Sequence, residues 1–172
     1  ASGMMTKEQQ DAAYKTILKQ SERLTNLIAC IINYNEIDNS DVPSCEVDLS
    51  KLAKEMLAVV KPEADKRKVT LIDNVTDNVI VQSTHERMSE MVGNLIRNAI
   101  RYNKEGGSVK VTLDIDHFEV ADTGIGISEE NLKKVFSRFF TVDKSHSGKN
   151  GGFGLGLAMV KKICQREGWT IS

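Results

Sequence analysis

Two asparagines one helical turn apart, Asn94 and Asn98, are the first residues whose type and spacing suit ligand chemistry. Residues 86–102 have apolar side chains at helical spacing, and these asparagines lie with Arg101 on a second face. Asparagine is a mediocre helix former, and an amide oxygen of Asn98 beside phosphate oxygens and water is a ligand that magnesium accepts. Alone, such a pair is more often solvated or hydrogen-bonded locally, so it needs supporting groups.

A second candidate is Asp122, which follows a predicted strand and precedes Gly124 and Gly126. Glycines let the backbone approach a ligand closely, and the carboxylate can accept a hydrogen bond from an adenine amino group. An isolated motif of this kind is more often an ordinary turn after a strand. It therefore gains meaning only from its neighbours in the chain.

Two later segments are ambiguous in the same way. Residues 136–140 combine three phenylalanines with Arg138, and aromatic residues at this spacing are most simply core residues. Residues 152–156 read Gly-Phe-Gly-Leu-Gly and open a predicted helix, where exposed N–H groups and the helix dipole suit phosphate. The alternative for this second segment is helix packing through small residues.

Taken together, the four segments resemble the N, G1, F and G2 boxes of the ATP-binding catalytic domain of sensor histidine kinases, in the GHKL superfamily. The resemblance runs from about Leu49 to the last residue, and four such motifs in the family's order are improbable by chance. It implies an α/β (α+β) two-layer sandwich of the Bergerat ATP-binding type, a mixed sheet with helices on one face, preceded by one long helix.

The resemblance also implies ATP and Mg2+ as cofactors. It assigns Asn98 to the metal, Asp122 to adenine, and catalytic roles to Asn94 and Arg138. The residues implied to bind the nucleotide are Asn94, Asn98, Arg101, Tyr102, Asp122, Gly124, Gly126, Ile127, Phe140, Lys144, Gly152, Gly154, Leu155 and Gly156.

Two positions depart from the family pattern, and both concern the polar segment 141–152, which is expected to be a mobile lid over ATP. Thr141 stands where the family often has a second arginine, and Phe153 stands where many relatives carry Thr or Ser. The lid's contacts to the terminal phosphate are therefore the part of the site that the resemblance defines least.

Residues 7–38 contain neither proline nor glycine and carry a heptad seam, which predicts a long helix. The seam residues are Tyr14, Ile17, Ser21, Leu24, Ile28, Ile31 and Asn35. Such a helix packs either on the following domain or in a helical hairpin that dimerises into a four-helix bundle, and the resemblance favours the bundle. We expect residues 1–46 to be part of a dimerisation and phosphoacceptor domain, and 47–172 an ATP-binding domain without its last strands.

The remaining elements follow from periodicity and from capping and turn residues. Ser128 is predicted to cap a helix that carries Phe136 and Phe139 on one face. The other predicted elements are a helix over 49–64 capped by Asp48 or Ser50, strands over 69–72 and 79–82, a hairpin of strands 109–113 and 118–121, a helix over 155–167 closed by Gly168, and a strand beginning at 169–171.

The resemblance predicts transfer of the ATP γ-phosphate to a histidine, and then relay to an aspartate in a response regulator receiver domain. None of His85, His117 and His146 stands in the family's acceptor motif, so the acceptor is expected on an upstream helix missing from this chain, in a protein that is a homodimer when intact. Two alternatives stay open: a nucleotide-dependent interaction module without transfer, and a GHKL ATPase. The ATPase reading lacks a base, because its water-activating glutamate is replaced by Asn94.

Composition excludes other classes of function. A net charge of −1 and a pI near 6.4 argue against nucleic-acid binding. Three widely separated cysteines favour a reducing compartment over a disulfide framework. The longest apolar run is far shorter than the roughly 20 residues that cross a bilayer. We therefore expect a soluble fragment, and the resemblance implies that it is the cytoplasmic part of a membrane-anchored bacterial sensor.

Overall fold

The computed structural model describes residues 6–39, 42–142 and 152–172. It divides into two compact units, the first ending at Glu36 and the second beginning at Ile37. The described part of the first unit belongs to helix α1 (Lys7–Asn39), which confirms the predicted long helix. Its seam residues Tyr14, Ile17 and Leu24 are exposed. None of the helices in the described ranges has both the length and the apolar character needed to cross a membrane.

The second unit combines a mixed three-stranded sheet, a separate two-stranded sheet and four helices in its described part beyond α1. Strand β2 pairs parallel with β4, β4 pairs antiparallel with β5, and β1 pairs antiparallel with β3. The elements are β1 (Cys45–Asp48), α2 (Leu49–Lys66), β2 (Thr70–Val75), β3 (Ile80–Ser83), α3 (His85–Arg101), β4 (Ser108–Leu113), β5 (Phe118–Asp122), α4 (Glu129–Leu132) and α5 (Gly156–Glu167). The predicted mixed α/β architecture with a preceding helix is confirmed.

Local hydrogen bonds explain where several elements begin and turn. The Asp48 carboxylate accepts the N–H of Lys51 at 2.9 Å and so caps α2. In the β4–β5 turn the Asp114 carboxylate accepts the N–H groups of Asp116 and His117, at 2.8 and 2.9 Å. These bonds, first of all the one from Asp116, hold the pKa of Asp114 below its ordinary value.

The core lies between one face of the mixed sheet and the helices packed against it. Strand β4 alternates, with Val109, Val111 and Leu113 buried and the residues between them more exposed. Helix α3 packs against α2, α5, β4 and β5, so it is the central helix of this unit. Its fully buried side chains are Met88, Val92, Ile96 and Ile100. Burial of one such side chain contributes about 1.5–3 kcal/mol relative to exposure.

Three local expectations differ from the structure. The helix that starts after Ser128 ends at Leu132, and Phe139 has a φ of +62°, because its N–H donates to the carbonyl of Gly154 at 2.9 Å instead of continuing a helix. Ser128 occupies the N-cap position without a side-chain capping bond. Residues 169–171 form no strand in the described structure, and β1 was not predicted from its four residues.

Candidate functional site

The second half of α3 and the residue that follows it lie against two of the other sequence segments, the one after β5 and the glycine-rich one. Gly156, the first residue of α5, lies so close to α3 that an added Cβ would be 2.9 Å from Asn94 Oδ1 and 3.7 Å from Asn98 Nδ2. Both asparagine side chains are half-buried. The amino end of α5 is therefore packed so closely against the Asn94 amide that any residue larger than glycine would force a shift.

The orientation of the Asn94 amide is defined by its neighbours on α3 and α5. Its Nδ2 donates to Glu90 Oε2 at 3.1 Å and contacts the Met159 sulfur at 3.6 Å. Its oxygen lies on the other side, next to Gly156. Glu90 was missed by the sequence reasoning, although its position four residues before Asn94 on a helix was a usable signal.

Arg101 ends α3 beside the glycine-rich segment. An added Cβ at Gly152 would collide with the guanidinium of Arg101, so the side chain lies directly against that backbone. The carbonyl of Arg101 accepts a hydrogen bond from Arg67 Nη1 at 3.2 Å, which ties the end of α3 to the end of α2. A cation is thereby held close to the backbone that leads into α5.

Asp122 and Gly124 lie on the other side of the end of α3. One carboxylate oxygen of Asp122 accepts the N–H of Gly124 at 2.8 Å, and Ile125 N–H donates to the carbonyl of Tyr102 at 3.2 Å. An added Cβ at Gly124 would collide with that same carbonyl. Because a carboxylate has about four lone-pair sites, exposed Asp122 retains capacity to accept a ligand donor.

Gly154 joins the aromatic segment to the glycine-rich one. It has a φ of +67°, and an added Cβ would lie 2.6 Å from the carbonyl oxygen of Phe140. Only glycine satisfies both the left-handed backbone and this close approach. Leu155 is buried beneath the segment, whereas Arg138 is exposed.

Some predicted site residues are not brought into this cluster. Gly126 and Ile127 follow β5 on an exposed stretch, and an added Cβ at Gly126 would meet no atom within 4 Å. Lys144 and most of the predicted lid, residues 143–151, lie outside the described residues. Over the ranges that are described, no three His, Cys, Asp or Glu side chains come together in a way that could hold a metal ion.

Residues 83–172 match the family described as histidine kinase-, DNA gyrase B-, and HSP90-like ATPase. Among curated proteins, the chain is 31% identical over 160 residues to the sensor histidine kinase WalK of Bacillus subtilis, covering 88% of this chain. It spans only 26% of the length of WalK.

Solved structures with a similar fold include two of the histidine kinase ThkA. The catalytic domain of histidine kinase ThkA matches with a TM-score of 0.63 and 27% identity, covering 73% of this chain and 82% of that one. ThkA has also been solved in complex with the response regulator protein TrrA, matching at 24% identity with a TM-score of 0.63 over 80% of this chain and 42% of that one.

Full-length ShkA in complex with AMPPNP shares the fold, with a TM-score of 0.74 at 24% identity over 96% of this chain and 35% of that one. The family match covers more than half of the chain, and within it the glycine-rich segment contacts both α3 and the aromatic segment. The chain belongs to the family of histidine kinase-, DNA gyrase B-, and HSP90-like ATPases.

Proposed function

We propose that this chain is the ATP-binding catalytic portion of a sensor histidine kinase. The observation that carries the proposal is the meeting of Asn94, Asn98 and Arg101 with Gly152 and Gly156 on one side of α3. This arrangement puts side-chain amides, a cation and the N-terminus of a helix around one space, and these are groups that bind phosphate and its metal. The similarity to WalK and ThkA supports the kinase reading.

The bound nucleotide supplies the γ-phosphoryl group, and the chain's own residues hold it in position. In the proposal Asp122 accepts a hydrogen bond from the adenine amino group beside Tyr102 and Ile127, while Asn98 offers an amide oxygen to Mg2+. The amides from Gly154 to Gly156, together with Arg101, neutralise phosphate charge. Because phosphoryl transfer depends mainly on positioning and electrostatic stabilisation, these groups would hold the γ-phosphoryl group for attack by the acceptor histidine, with ADP as the leaving group.

The magnesium part of the proposal rests on the type of donor present. Mg2+ prefers oxygen ligands and keeps several waters, so one amide oxygen together with phosphate oxygens is a suitable set. Asn98 is half-buried on α3, one turn after Asn94, and the atom that it presents to Gly156 is Nδ2, so the Oδ1 proposed for the metal lies farther from that glycine. These features fit a metal held between protein and nucleotide.

The acceptor and the partners complete the proposal. We infer that residues 1–46 belong to a dimerisation domain and residues 47–172 to the catalytic domain, and that the acceptor histidine stands on another helix of the dimeric, membrane-anchored sensor. His85 and His117 are exposed, and His117 lies 3.0 Å from the Asp114 carboxylate. From the acceptor, the phosphoryl group would pass to a response regulator, the class of partner present in the ThkA complex.

The test is to mix the chain with labelled ATP, Mg2+ and a fragment carrying the acceptor helix of the full-length protein. We expect acid-labile phosphohistidine on the added fragment and none on this chain. Asn98→Ala should abolish the label. Labelling of His85, His117 or His146 would contradict the proposed acceptor, and rapid ATP hydrolysis that Asn98→Ala removes would replace the kinase by an ATPase.

A further inference from the structure

We propose that Glu90 is a positioning residue that turns the side-chain oxygen of Asn94 toward the amino end of α5. The inference rests on the proposed function, which places the nucleotide phosphates and Mg2+ at that end. Glu90 Oε2 accepts a hydrogen bond from Asn94 Nδ2 at 3.1 Å, and both side chains are half-buried on α3. Glu90 would therefore act on the nucleotide through Asn94.

The neighbours of Asn94 allow only one orientation of its amide. An ionised carboxylate accepts hydrogen bonds and donates none, and a thioether sulfur is also only an acceptor. The Asn94 amino group faces one of each, Glu90 at 3.1 Å and Met159 at 3.6 Å. Turning the amide over would set its oxygen against both acceptors and lose a charge-assisted hydrogen bond.

The fixed orientation has a consequence on the opposite side of the amide. There the Asn94 oxygen lies 2.9 Å from the position of a Cβ on Gly156, the first residue of α5. With the amide turned over, a donor group would stand at that point. An oxygen at this position of Asn94 can contact a hard cation or accept a hydrogen bond from its bound water, which an amino group cannot do.

If Glu90 had only a structural role, a different result would be expected. An i, i+4 pair on a helix contributes about 0.2–0.5 kcal/mol, and its loss would lower stability without regard to magnesium. A positioning role instead lowers nucleotide affinity only when the metal is present. The two roles therefore separate when affinity is measured with and without Mg2+.

The experiment compares wild type with Glu90→Met, which keeps the length of the side chain and removes the carboxylate. Calorimetry with AMPPNP is done in Mg2+ and again in EDTA, with thermal unfolding to confirm folding. We expect Glu90→Met to lose about tenfold in affinity in Mg2+, as is usual for groups that orient metal ligands, and to match wild type in EDTA. Equal losses in both conditions, or none, would overturn the inference.

Two further variants control for charge and for shape. Glu90→Gln keeps an oxygen that can accept the hydrogen bond from Asn94. It should therefore recover most of the AMPPNP affinity that Glu90→Met loses in Mg2+. Glu86→Met makes the same change at an exposed position in the first turn of α3. Glu86→Met should leave the magnesium dependence unchanged, and a tenfold loss there would attribute the effect to net charge.

A measurement on the nucleotide-free protein separates this inference from the proposed function. The Asn94 side-chain NH2 protons should be protected from solvent exchange in wild type and in Glu90→Gln, and exposed in Glu90→Met. Failure of wild type to bind AMPPNP would overturn the proposed function alone, since the NH2 protection would still decide the orientation. Protection that is unchanged in Glu90→Met would overturn the role of Glu90.

Discussion

The contact between helices α3 and α5 has two ends that differ sharply in chemistry. At the first, the Glu167 carboxylate accepts hydrogen bonds from Arg87 Nη1 at 3.3 Å and from the Ser83 hydroxyl at 2.9 Å; Ser83 and Arg87 are buried, and the Glu167 side chain is 9% exposed. At the second, Gly156 lies against the half-buried amide of Asn94. Because the start of α3 meets the end of α5, the two helices run antiparallel.

The difference shows how one helix pair serves two needs. A buried carboxylate and guanidinium lose their hydration, so they are tolerated only where each is paired and hydrogen-bonded. At the other end glycine and neutral amides carry no net charge, and the N–H groups of a helix N-terminus suit an added anion. We infer that the charged end sets the register of α5, while the glycine end remains available to a ligand.

The largest expected effect is on stability, at the charged end. Glu167→Leu removes the carboxylate shared by Arg87 and Ser83, and breaking a buried ion pair costs about 3–5 kcal/mol. Urea unfolding should show this loss. The double variant Arg87→Leu/Glu167→Leu removes both charges and should be more stable than the single one. A loss for Glu167→Leu alone below about 1 kcal/mol would contradict a structural role for this end.

A smaller effect is expected on affinity, at the site. Asp122→Asn should lower adenine nucleotide affinity by about ten- to a hundredfold, because a hydrogen bond to a charged group contributes about 1.5–3 kcal/mol. Unfolding should be nearly unaffected. Asp114→Asn is the matched control, since Asp114 also accepts backbone N–H groups, at the opposite end of the hairpin. Unchanged calorimetric affinity for Asp122→Asn would remove this residue from the adenine site.

The smallest expected effect is that of Gly156→Ala, which should lower nucleotide affinity without lowering stability. Gly156→Ala adds a methyl group 2.9 Å from Asn94 Oδ1, which must move by a few tenths of an ångström. Alanine also favours the helix by about 1 kcal/mol over glycine. We expect a melting temperature equal to or above that of wild type, together with an AMPPNP affinity lower by about threefold, or about 0.6 kcal/mol.

Gly93→Ala provides the comparison for this substitution. Its added methyl group would meet the end of the flexible Arg97 side chain at 2.6 Å, and not the asparagine amides. Binding of AMPPNP should therefore stay at the wild-type level in Gly93→Ala. If both variants lose affinity equally, the close approach of Gly156 to Asn94 has no special role.

Where local chemistry is strong, the amino-acid sequence alone was sufficient. The sequence predicted the turn at 114–116 and Gly168 after α5, and it limited the cap of α2 to Asp48 or Ser50, of which Asp48 forms the capping bond. The periodicity that predicted α3 also separated its core face from the face with the asparagines. Each of these features depends on residues close together in the chain, so no knowledge of the tertiary structure was needed.

Two features could not be predicted from the sequence: the early end of the helix after Ser128, and the contact that joins Glu90, Asn94 and Gly156. Phe139 leaves the helical pattern because its N–H bonds to Gly154, a residue that the chain brings back from fifteen positions away. Residue types and spacing, read together with the family resemblance, predict which groups bind phosphate, metal and adenine. Which way the Asn94 amide turns was decided by packing, because the acceptor on Met159 and the close backbone of Gly156 both come from α5, a helix distant in sequence.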